Sequence, residues 1–255
     1  MKKTTAAVRP VVIRPGVEIY KGDCLAVLAQ LGAGCADMVF TDPPYGHNNN
    51  DGDHISSRRA AFGRGEASLP RPIMNDGPEA NEIFRAALPL MRRVLNSGCC
   101  CCCGGGGPDP QFARWSLWLD EVFRFKQMVV WDKGPMGMGW HYRRSYETVL
   151  VAEVPGKCRW YGHKRVENII RPGQYGIRKI IPAADQHPTE KPPELAKAFI
   201  VWHSKRGDLV VDPFMGAGST GLAAMRLGRR FIGIELDPKW FDKAREKLYK
   251  EVGNP

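Results

Sequence analysis

Two short stretches of the sequence carry residues that could do chemistry, and the first is TDPPYG, from Thr41 to Gly46. It follows the apolar run DMVF, so Asp42 stands where a buried strand is expected to end. The prolines Pro43 and Pro44 fix φ and bring no N–H donor, so the Pro43 carbonyl group would be presented rigidly near the carboxylate. Tyr45 adds an aromatic face. The stretch therefore predicts a polar site with two acceptor groups and one ring.

The second stretch, LVVDPFMGAGSTGLAA, places the pattern G-x-G-x-x-G between a predicted strand and a predicted helix. Its glycines are Gly216, Gly218 and Gly221. In that context the pattern indicates a nucleotide cofactor bound on a tight turn. Glu235 ends the next predicted strand, where its carboxylate could accept hydrogen bonds from ribose hydroxyl groups. A turn that is rich in glycine only for packing is the alternative.

The charge near this turn distinguishes between the cofactors that suit its geometry. NAD would place a pyrophosphate beside Asp212, which would repel it. S-adenosylmethionine has no phosphate, and its sulfonium and ammonium groups would be attracted to a nearby acid. A phosphate-binding P-loop is excluded because GAGST lacks the lysine of that motif. The sequence therefore predicts S-adenosyl-L-methionine, and a nicotinamide oxidoreductase is the alternative from another class.

Composition favours an anionic partner and a reducing compartment. The 255 residues include 37 Lys and Arg against 27 Asp and Glu, a net charge of +10 that favours nucleic acid. Five of the eight cysteines are consecutive, from Cys99 to Cys103. Neighbouring strand residues point to opposite faces, so all five cannot converge on one metal ion, and we expect a doubly buried central strand and no metal site. Without an apolar run of membrane-spanning length, we expect a cytoplasmic protein with no membrane partner.

Strands alternate with helices along the chain, which indicates βαβ units on a largely parallel sheet. We expect one doubly wound domain over residues 1–255. Within it, residues 1–16 are expected to be a flexible leader and residues 46–77 a mobile loop. Residues 156–181 are expected to be a basic insertion.

The motifs DPPY and DPFMGAGST together make the chain similar to DNA amino-methyltransferases, which methylate exocyclic nitrogens of adenine or cytosine. More narrowly, it resembles their permuted β group, in which the catalytic motif precedes the cofactor motif. The resemblance runs from about Val17 to Tyr249 and includes GDCLAVLAQL, VVWDKGPMGMGWHYRRSYETVLVA, HPTEKP and FIGIELDP. It implies an α/β, Rossmann-like S-adenosylmethionine-dependent methyltransferase fold, with about seven mostly parallel strands, helices on both faces and one antiparallel hairpin near an edge.

The resemblance also assigns roles at the first motif and implies that the two motif strands lie side by side. Asp42, Pro43, Pro44 and Tyr45 would form the catalytic set. The Asp42 carboxylate and the Pro43 carbonyl would accept the two N–H groups of the target amino group, and Tyr45 would stack on an extruded base. The direct in-line methyl transfer that follows requires no metal.

The cofactor-binding set implied by the resemblance is drawn from four motifs. Asp23 would approach the adenine of the cofactor, and HPTEKP would form a cap beside its methionine end, although Thr189 could equally begin a helix as its N-cap. The whole set is Asp23, Thr189, Lys191, Asp212, Phe214, Gly216, Gly218, Ser219, Thr220 and Glu235.

Double-stranded DNA would contact the basic insertion. Residues 156–181 hold seven Lys and Arg against the single acid Glu167, with Trp160, Tyr161 and Tyr175 between them. Such a segment is typical of a target-recognition element, and a solvated basic loop is the alternative. The predicted DNA-binding residues are Arg143, Arg144, Arg159, Lys164, Arg165 and Arg171.

The expected function is therefore site-specific methylation of adenine N6 in DNA. In the family, enzymes with Asp at the first position of the DPPY motif more often methylate adenine, and enzymes with Ser there more often methylate cytosine. A cytosine-N4 methyltransferase, a methyltransferase with an RNA substrate and an inactive DNA-binding module are the alternatives. A homodimer and a cognate restriction endonuclease are compatible with this function.

Overall fold

A computed structural model describes residues 7–46, 74–104, 111–134, 141, 145–157, 159–177 and 191–253. Nine strands of these residues join one sheet: β1 (Val11–Arg14), β2 (Val17–Lys21), β3 (Ala36–Thr41), β4 (Leu95–Gly104), β5 (Arg124–Asp132), β6 (Tyr146–Glu153), β7 (Ile169–Ile170), β8 (Leu209–Asp212) and β9 (Arg230–Glu235).

Helices cover both faces of this sheet. One face packs against α1 (Cys24–Gln30), α2 (Glu79–Val94) and α3 (Gln111–Val122), and the other against α4 (Pro193–His203), α5 (Ser219–Arg226) and α6 (Pro238–Val252). None of the helices in the described ranges has the length and apolar character needed to cross a bilayer. The predicted α/β arrangement is confirmed.

The strands run in the order β1-β2-β9-β8-β3-β4-β6-β5-β7. The five from β2 to β4 are mutually parallel, so their carboxyl ends share one edge of the sheet. Antiparallel β6 separates β4 from β5 and forms the expected hairpin with β5.

Two details differ from the sequence-based expectation. The sheet has nine strands rather than about seven, because β1 and β7 extend its edges. Residues 11–14, expected to belong to a flexible leader, form β1 by pairing antiparallel with β2. Residues 156–157 and 159–177 of the predicted insertion contribute β7, which pairs parallel with β5. Most of the predicted loop 46–77 lies outside the described residues.

The cysteine run forms most of β4 and is buried on both faces, as predicted. Cys99, Cys101 and Cys103 pack with α2 and α3, while Cys100 and Cys102 pack with α4. All five are at most 5% exposed. Small apolar side chains let helices approach both faces of this central strand closely.

The glycine turn between β8 and α5 needs glycine at two positions for different reasons. Gly218 has φ of +82°, a left-handed conformation that other residues adopt rarely. A Cβ at Gly221 would lie 2.7 Å from the ring of Phe231, so glycine lets α5 pack closely on β9. The close contact at Gly221 is the role that the third glycine has in a nucleotide-binding turn.

A buried side-chain hydrogen bond joins the two motif strands, which pair directly as expected. The Thr41 hydroxyl group at the end of β3 donates to Oδ1 of Asp212 at the end of β8 over 2.7 Å. Both residues are at most 2% exposed. Burial raises the pKa of Asp212 to about 6, although hydrogen bonds from Thr41 and Thr220 act to lower it.

Replacing Thr41 by Val should destabilise the protein more at pH 8 than at pH 5. Above pH 6 Asp212 is ionised, so losing the donor leaves a poorly compensated buried charge, at a cost of about 1–3 kcal/mol. Below pH 6 the carboxyl group is neutral and the cost shrinks. Urea unfolding at the two pH values measures the difference, and Thr41→Ser, which keeps the hydroxyl group, is the control. An equal loss at both pH values would contradict the assigned role.

Candidate active site

A cleft opens at the carboxyl ends of the parallel strands. It joins the two sequence motifs, since both Asp42 and Gly216 line it. Ligands of open α/β sheets bind at this edge. The lining residues of the cleft are Gly22, Asp23, Cys24, Asp42, Pro43, Pro44, Tyr45, Met74, Asn75, Asp76, Ala80, Ile83, Pro213, Phe214, Gly216, Ile234, Glu235, Leu236, Asp237 and Trp240.

Asp42 has a partner at each carboxylate oxygen. The hydroxyl group of Tyr45 donates to Oδ1, and the ammonium group of Lys191 lies 2.8 Å from Oδ2. Burial raises the pKa of Asp42 above its ordinary value, and Lys191 opposes that effect. A carboxylate has about four acceptor sites, so Asp42 can still accept further N–H groups.

Lys191 also binds a second half-buried carboxylate. Its ammonium group lies 3.1 Å from Glu147 in β6, and Glu147 in turn contacts Lys133 at 2.8 Å. Burial alone would raise the pKa of Glu147, but the two lysines lower it to about 2. In the same way, Asp42 and Glu147 overcome burial and hold the pKa of Lys191 well above its usual range. Glu147 therefore holds Lys191 beside Asp42.

Tyr45 is held by backbone and side-chain contacts from three sides. Its amide N–H donates to Oδ1 of Asp76 over 3.0 Å, and its carbonyl oxygen accepts from the amide side chain of Gln111 over 2.9 Å. Its ring lies 5.9 Å from the ring of Trp115 and 5.1 Å from the ammonium group of Lys191. The ring is 5% exposed. For Tyr45 to stack on a target base as predicted, one face of its ring would have to become exposed.

Gly104, the last residue of β4, abuts the catalytic motif. A Cβ at this position would overlap Oδ1 of Asp42 and would lie 2.8 Å from the hydroxyl oxygen of Tyr45. Such an approach is too close for nonbonded atoms, so only glycine leaves room for the contact between Asp42 and Tyr45.

Four members of the predicted cofactor-binding set line the cleft: Asp23, Phe214, Gly216 and Glu235. Asp23 also caps α1, where its side chain accepts from the Ala26 amide over 2.9 Å. The Glu235 carboxylate accepts from the backbone N–H groups of Gly216 and Asp237, each over 2.8 Å. Burial nevertheless raises the pKa of Glu235 to about 7.

Other members of the predicted cofactor set lie elsewhere. Asp212 does not line the cleft, because its carboxylate is turned inward to Thr41, to Thr220 and to the Phe214 amide. Gly218, Ser219 and Thr220 shape the start of α5 rather than the wall of the cleft.

HPTEKP also differs from its expected arrangement where it is described. Lys191, expected beside the methionine end of the cofactor, lies in a smaller hollow with Asp42 and Glu147. Thr189 lies outside the described residues. The following helix, α4, begins after Pro192, so Thr189 is not its N-cap.

The predicted DNA-binding residues do not form one patch. Arg143 and Arg144 lie outside the described residues. Arg159 binds Asp37 at 2.9 Å at the start of β3, the opposite edge of the sheet from the cleft, so its assignment to DNA stays a prediction from sequence. Its guanidinium neutralises a half-buried carboxylate.

The remaining basic candidates are exposed. Lys164 and Arg165 precede β7, while Arg171 follows it. Because β7 is parallel to β5, and β5 runs in the direction of β4, Arg171 leaves the sheet at the edge that bears the cleft. Arg171 pairs with Glu167 at the surface.

The family of the chain follows from a comparison with family models, where the model described as DNA methylase matches residues 36–246. The chain belongs to this family. The methylase is 27% identical over 245 residues to the type II methyltransferase M2.DpnII of Streptococcus pneumoniae, covering 91% of this chain and 90% of that protein. It is 28% identical over 254 residues to the type II methyltransferase M.HinfI of Haemophilus influenzae, and the match covers 93% of this chain and 69% of that protein.

Solved structures with the same fold support the architecture of the methylase. A Thermus thermophilus protein thought to be a DNA modification methylase, solved with S-adenosyl-L-methionine, matches with a TM-score of 0.66 and 22% identity, covering 93% of this chain and 96% of that one. The cytosine-N4-specific PvuII DNA methyltransferase matches with a TM-score of 0.64 and 20% identity, and the match covers 93% of this chain and 92% of that one. The predicted family and fold class are confirmed.

Sequence reasoning missed Asp76, Gln111, Glu147 and Gly104. Glu147 gave one signal, since it is an acid near the start of a mostly apolar strand of the methylase. Asp76 and Gln111 gave none, because each reaches the motif only through the packing of a segment remote in sequence. Gly104 was interpreted only as the end of the cysteine run.

Replacing Gly104 by Ala should reduce kcat for DNA methylation by at least about 100-fold in a folded protein. The new methyl group would force Asp42 to rotate, and small displacements of a reacting group cost rates of this order. Single-turnover methylation assays measure the loss, and circular dichroism checks the fold. Gly32→Ala is the matched control, because its Cβ would meet only Cys35 at 3.8 Å. Near-normal turnover of Gly104→Ala would contradict this placement of Asp42.

Proposed function

We propose that this methylase transfers a methyl group from S-adenosyl-L-methionine to N6 of adenine at specific sites in double-stranded DNA. The observation that carries the proposal is the charge of the cleft. Among the described residues, five carboxylates and no Lys, Arg or His line it; the acids are Asp23, Asp42, Asp76, Glu235 and Asp237.

Such a lining suits a cationic cofactor and disfavours a dinucleotide. The pyrophosphate of NAD would enter a negative field with no basic side chain to offset it. The sulfonium and ammonium groups of S-adenosyl-L-methionine would be stabilised there. Apolar side chains of the cleft, including Phe214, Ile234 and Trp240, offer walls for a flat base. The residues present therefore fit this cofactor.

We assign the cofactor contacts to the lining residues named by sequence analysis. Asp23 would face the adenine, Glu235 would accept from the ribose hydroxyl groups, and Phe214 and Gly216 would border the turn. When bound, S-adenosyl-L-methionine supplies an electrophilic methyl group. The Asp42 carboxylate lies between this cleft and the hollow that holds Lys191, because it lines both.

At the target nitrogen, Asp42 and the Pro43 carbonyl would act as acceptors. An exocyclic amino group is a poor nucleophile because its lone pair is delocalised into the ring. Accepting both N–H groups would pull the nitrogen toward a tetrahedral shape and free the lone pair. Lys191 favours the ionised, accepting form of Asp42 against the effect of burial, and Tyr45 would rotate from Asp42 to stack on the base.

Adenine is favoured over cytosine by the residue at the first motif position, Asp42. A cytosine-N4 enzyme is the second candidate, since the cytosine-N4-specific PvuII enzyme has a similar fold. DNA is the substrate class of the family. Arg171 would meet the DNA backbone, since it lies at the catalytic edge. The cytoplasmic location, a homodimer and a cognate restriction endonuclease stay predictions from sequence.

The test of this function is to incubate the protein with double-stranded DNA and labelled S-adenosyl-L-methionine, then to identify the modified nucleoside by mass spectrometry. We expect N6-methyladenine in a defined sequence context. Asp42→Ala should reduce product formation more than about 100-fold while the Kd for S-adenosylhomocysteine changes less than about threefold. Asp42→Asn, which keeps the shape but replaces one acceptor by a donor, should be similarly inactive. N4-methylcytosine would replace the adenine assignment, and a fully active Asp42→Ala would overturn the mechanism.

Affinity for S-adenosylhomocysteine should rise about tenfold from pH 6 to pH 8. Hydroxyl groups of ribose favour the ionised form of Glu235, whose pKa is about 7, so below pH 7 binding must first remove a proton. Isothermal titration calorimetry across this range measures the change. Glu235→Gln should bind more weakly and lose the dependence on pH. An unchanged pH dependence in that variant would show that Glu235 does not bind the ribose.

A further inference from the structure

Among the residues that the structure describes, one cluster outside the active site has the composition of a metal centre. Cys100 and Cys102 on β4 and His203 at the end of α4 bring their ligand atoms within 4.8 Å of one another. The two sulfur atoms are 3.2 Å apart. All three residues are at most 9% exposed.

We propose that Cys100, Cys102 and His203 bind one zinc ion that joins α4 to the central strand. Two thiolates and an imidazole are preferred ligands of zinc, which binds sulfur at about 2.3 Å and nitrogen at about 2.0–2.1 Å in tetrahedral sites. That geometry requires ligand atoms about 3.6–3.8 Å apart. Side-chain rotations that move these atoms by about 1 Å bring the observed cluster to these distances.

The strand geometry explains why these two cysteines converge. Alternate residues of a strand point to one face, so Cys100 and Cys102 face α4 while Cys99, Cys101 and Cys103 face away. All five cysteines cannot ligate one ion, but two of them can do so when a histidine arrives from another element.

Charge also favours a divalent ion in this buried position. Two thiolates and one Zn²⁺ sum to zero charge, which lowers the cost of burying the centre. The nearest carboxylate in register is Glu153, the cross-strand partner of Cys100, but Lys126 binds it at 2.9 Å. The described residues offer three ligands, so the fourth position of the ion would be left to a water molecule.

Aromatic residues hold the histidine in place. The ring of Trp160 meets His203 edge-on with centroids 5.2 Å apart, and the ring of Phe199 is stacked on His203 with centroids 6.4 Å apart. The backbone next to Trp160 is tied to α4, since the Tyr161 amide donates to the Trp202 carbonyl over 2.8 Å. Part of the predicted DNA-recognition segment thus covers this cluster.

The cluster lies away from the catalytic edge, which makes its role structural. In the β3–β4 register, Cys103 is opposite Thr41 and Cys100 is opposite Met38, so Cys100 is about 10 Å from the catalytic end of β4. The proposed ion would fix the far end of α4, the helix that begins two residues after Lys191.

The test uses the full chain without a histidine tag, purified under reducing conditions. We expect about one zinc per chain by elemental analysis. After removal of zinc with a chelator, Co²⁺ should bind at one equivalent, give a thiolate-to-cobalt absorption band and be displaced by Zn²⁺. Zinc should raise the Tm of the stripped protein by at least about 5 °C.

Substitutions locate the ion. Cys100→Ser and Cys102→Ser should abolish the thiolate band, and His203→Asn should weaken Co²⁺ binding at least about tenfold. Cys101→Ser, on the same strand but facing the opposite side, is the matched control and should retain the band and the zinc-dependent rise in Tm. Its unfolding temperature without metal calibrates the cost of a buried serine.

Several results would overturn the proposal. The cobalt titration of the wild-type chain tests the proposal even if a variant fails to fold. If the reduced wild-type chain gives no cobalt–thiolate band, the proposed site does not exist. A disulfide between Cys100 and Cys102 under these conditions would also overturn the proposal. So would a cobalt–thiolate band of undiminished strength in the double variant Cys100→Ser/Cys102→Ser. Equal loss of the band in Cys101→Ser would assign the metal to another set of cysteines.

Discussion

The direct pairing of β3 with β8 is the interaction on which the rest of the site depends. Thr41 and Asp212 end these strands 171 positions apart in the sequence, and a buried hydrogen bond joins them. Because the strands are parallel, the residues that follow them, DPPY and PFMGAG, leave the sheet at the same edge. The Asp42 carboxylate and the glycine turn therefore line the same cleft only because β3 and β8 pair.

Charge is divided sharply on the two sides of Asp42. The cleft on one side is lined by carboxylates, whereas the hollow on the other side contains Lys191 bound to Glu147. This division places a positive partner beside Asp42, while no basic side chain of the described residues lines the cleft. Breaking a buried ion pair by removing one partner typically costs about 3–5 kcal/mol, so the residues of this network depend on one another.

The cysteine run of β4 shows what can and cannot be predicted from a local sequence pattern. Its burial on both faces followed from composition and from the alternation of a strand, and the structure agrees. The same alternation places Cys100 and Cys102 together, but no local pattern connects them to His203, which ends a helix about 100 positions later. A cluster that needs two elements to meet becomes visible only when those elements pack.

The sequence by itself determined the α/β class, the elements along the chain, the glycine turn, and Asp42 as the acid of the catalytic motif, because these depend on local periodicity and on contiguous motifs. It predicted Arg159 as a DNA contact, and Asp212 and Lys191 as cofactor-binding residues. The tertiary structure decided which partner each of these charges has. Arg159 neutralises Asp37, Asp212 turns inward to Thr41, and Lys191 binds Asp42 and Glu147. The physical reason is that a buried charge takes the nearest compensating partner in space, and the partners of these three residues come from strands and helices distant in sequence.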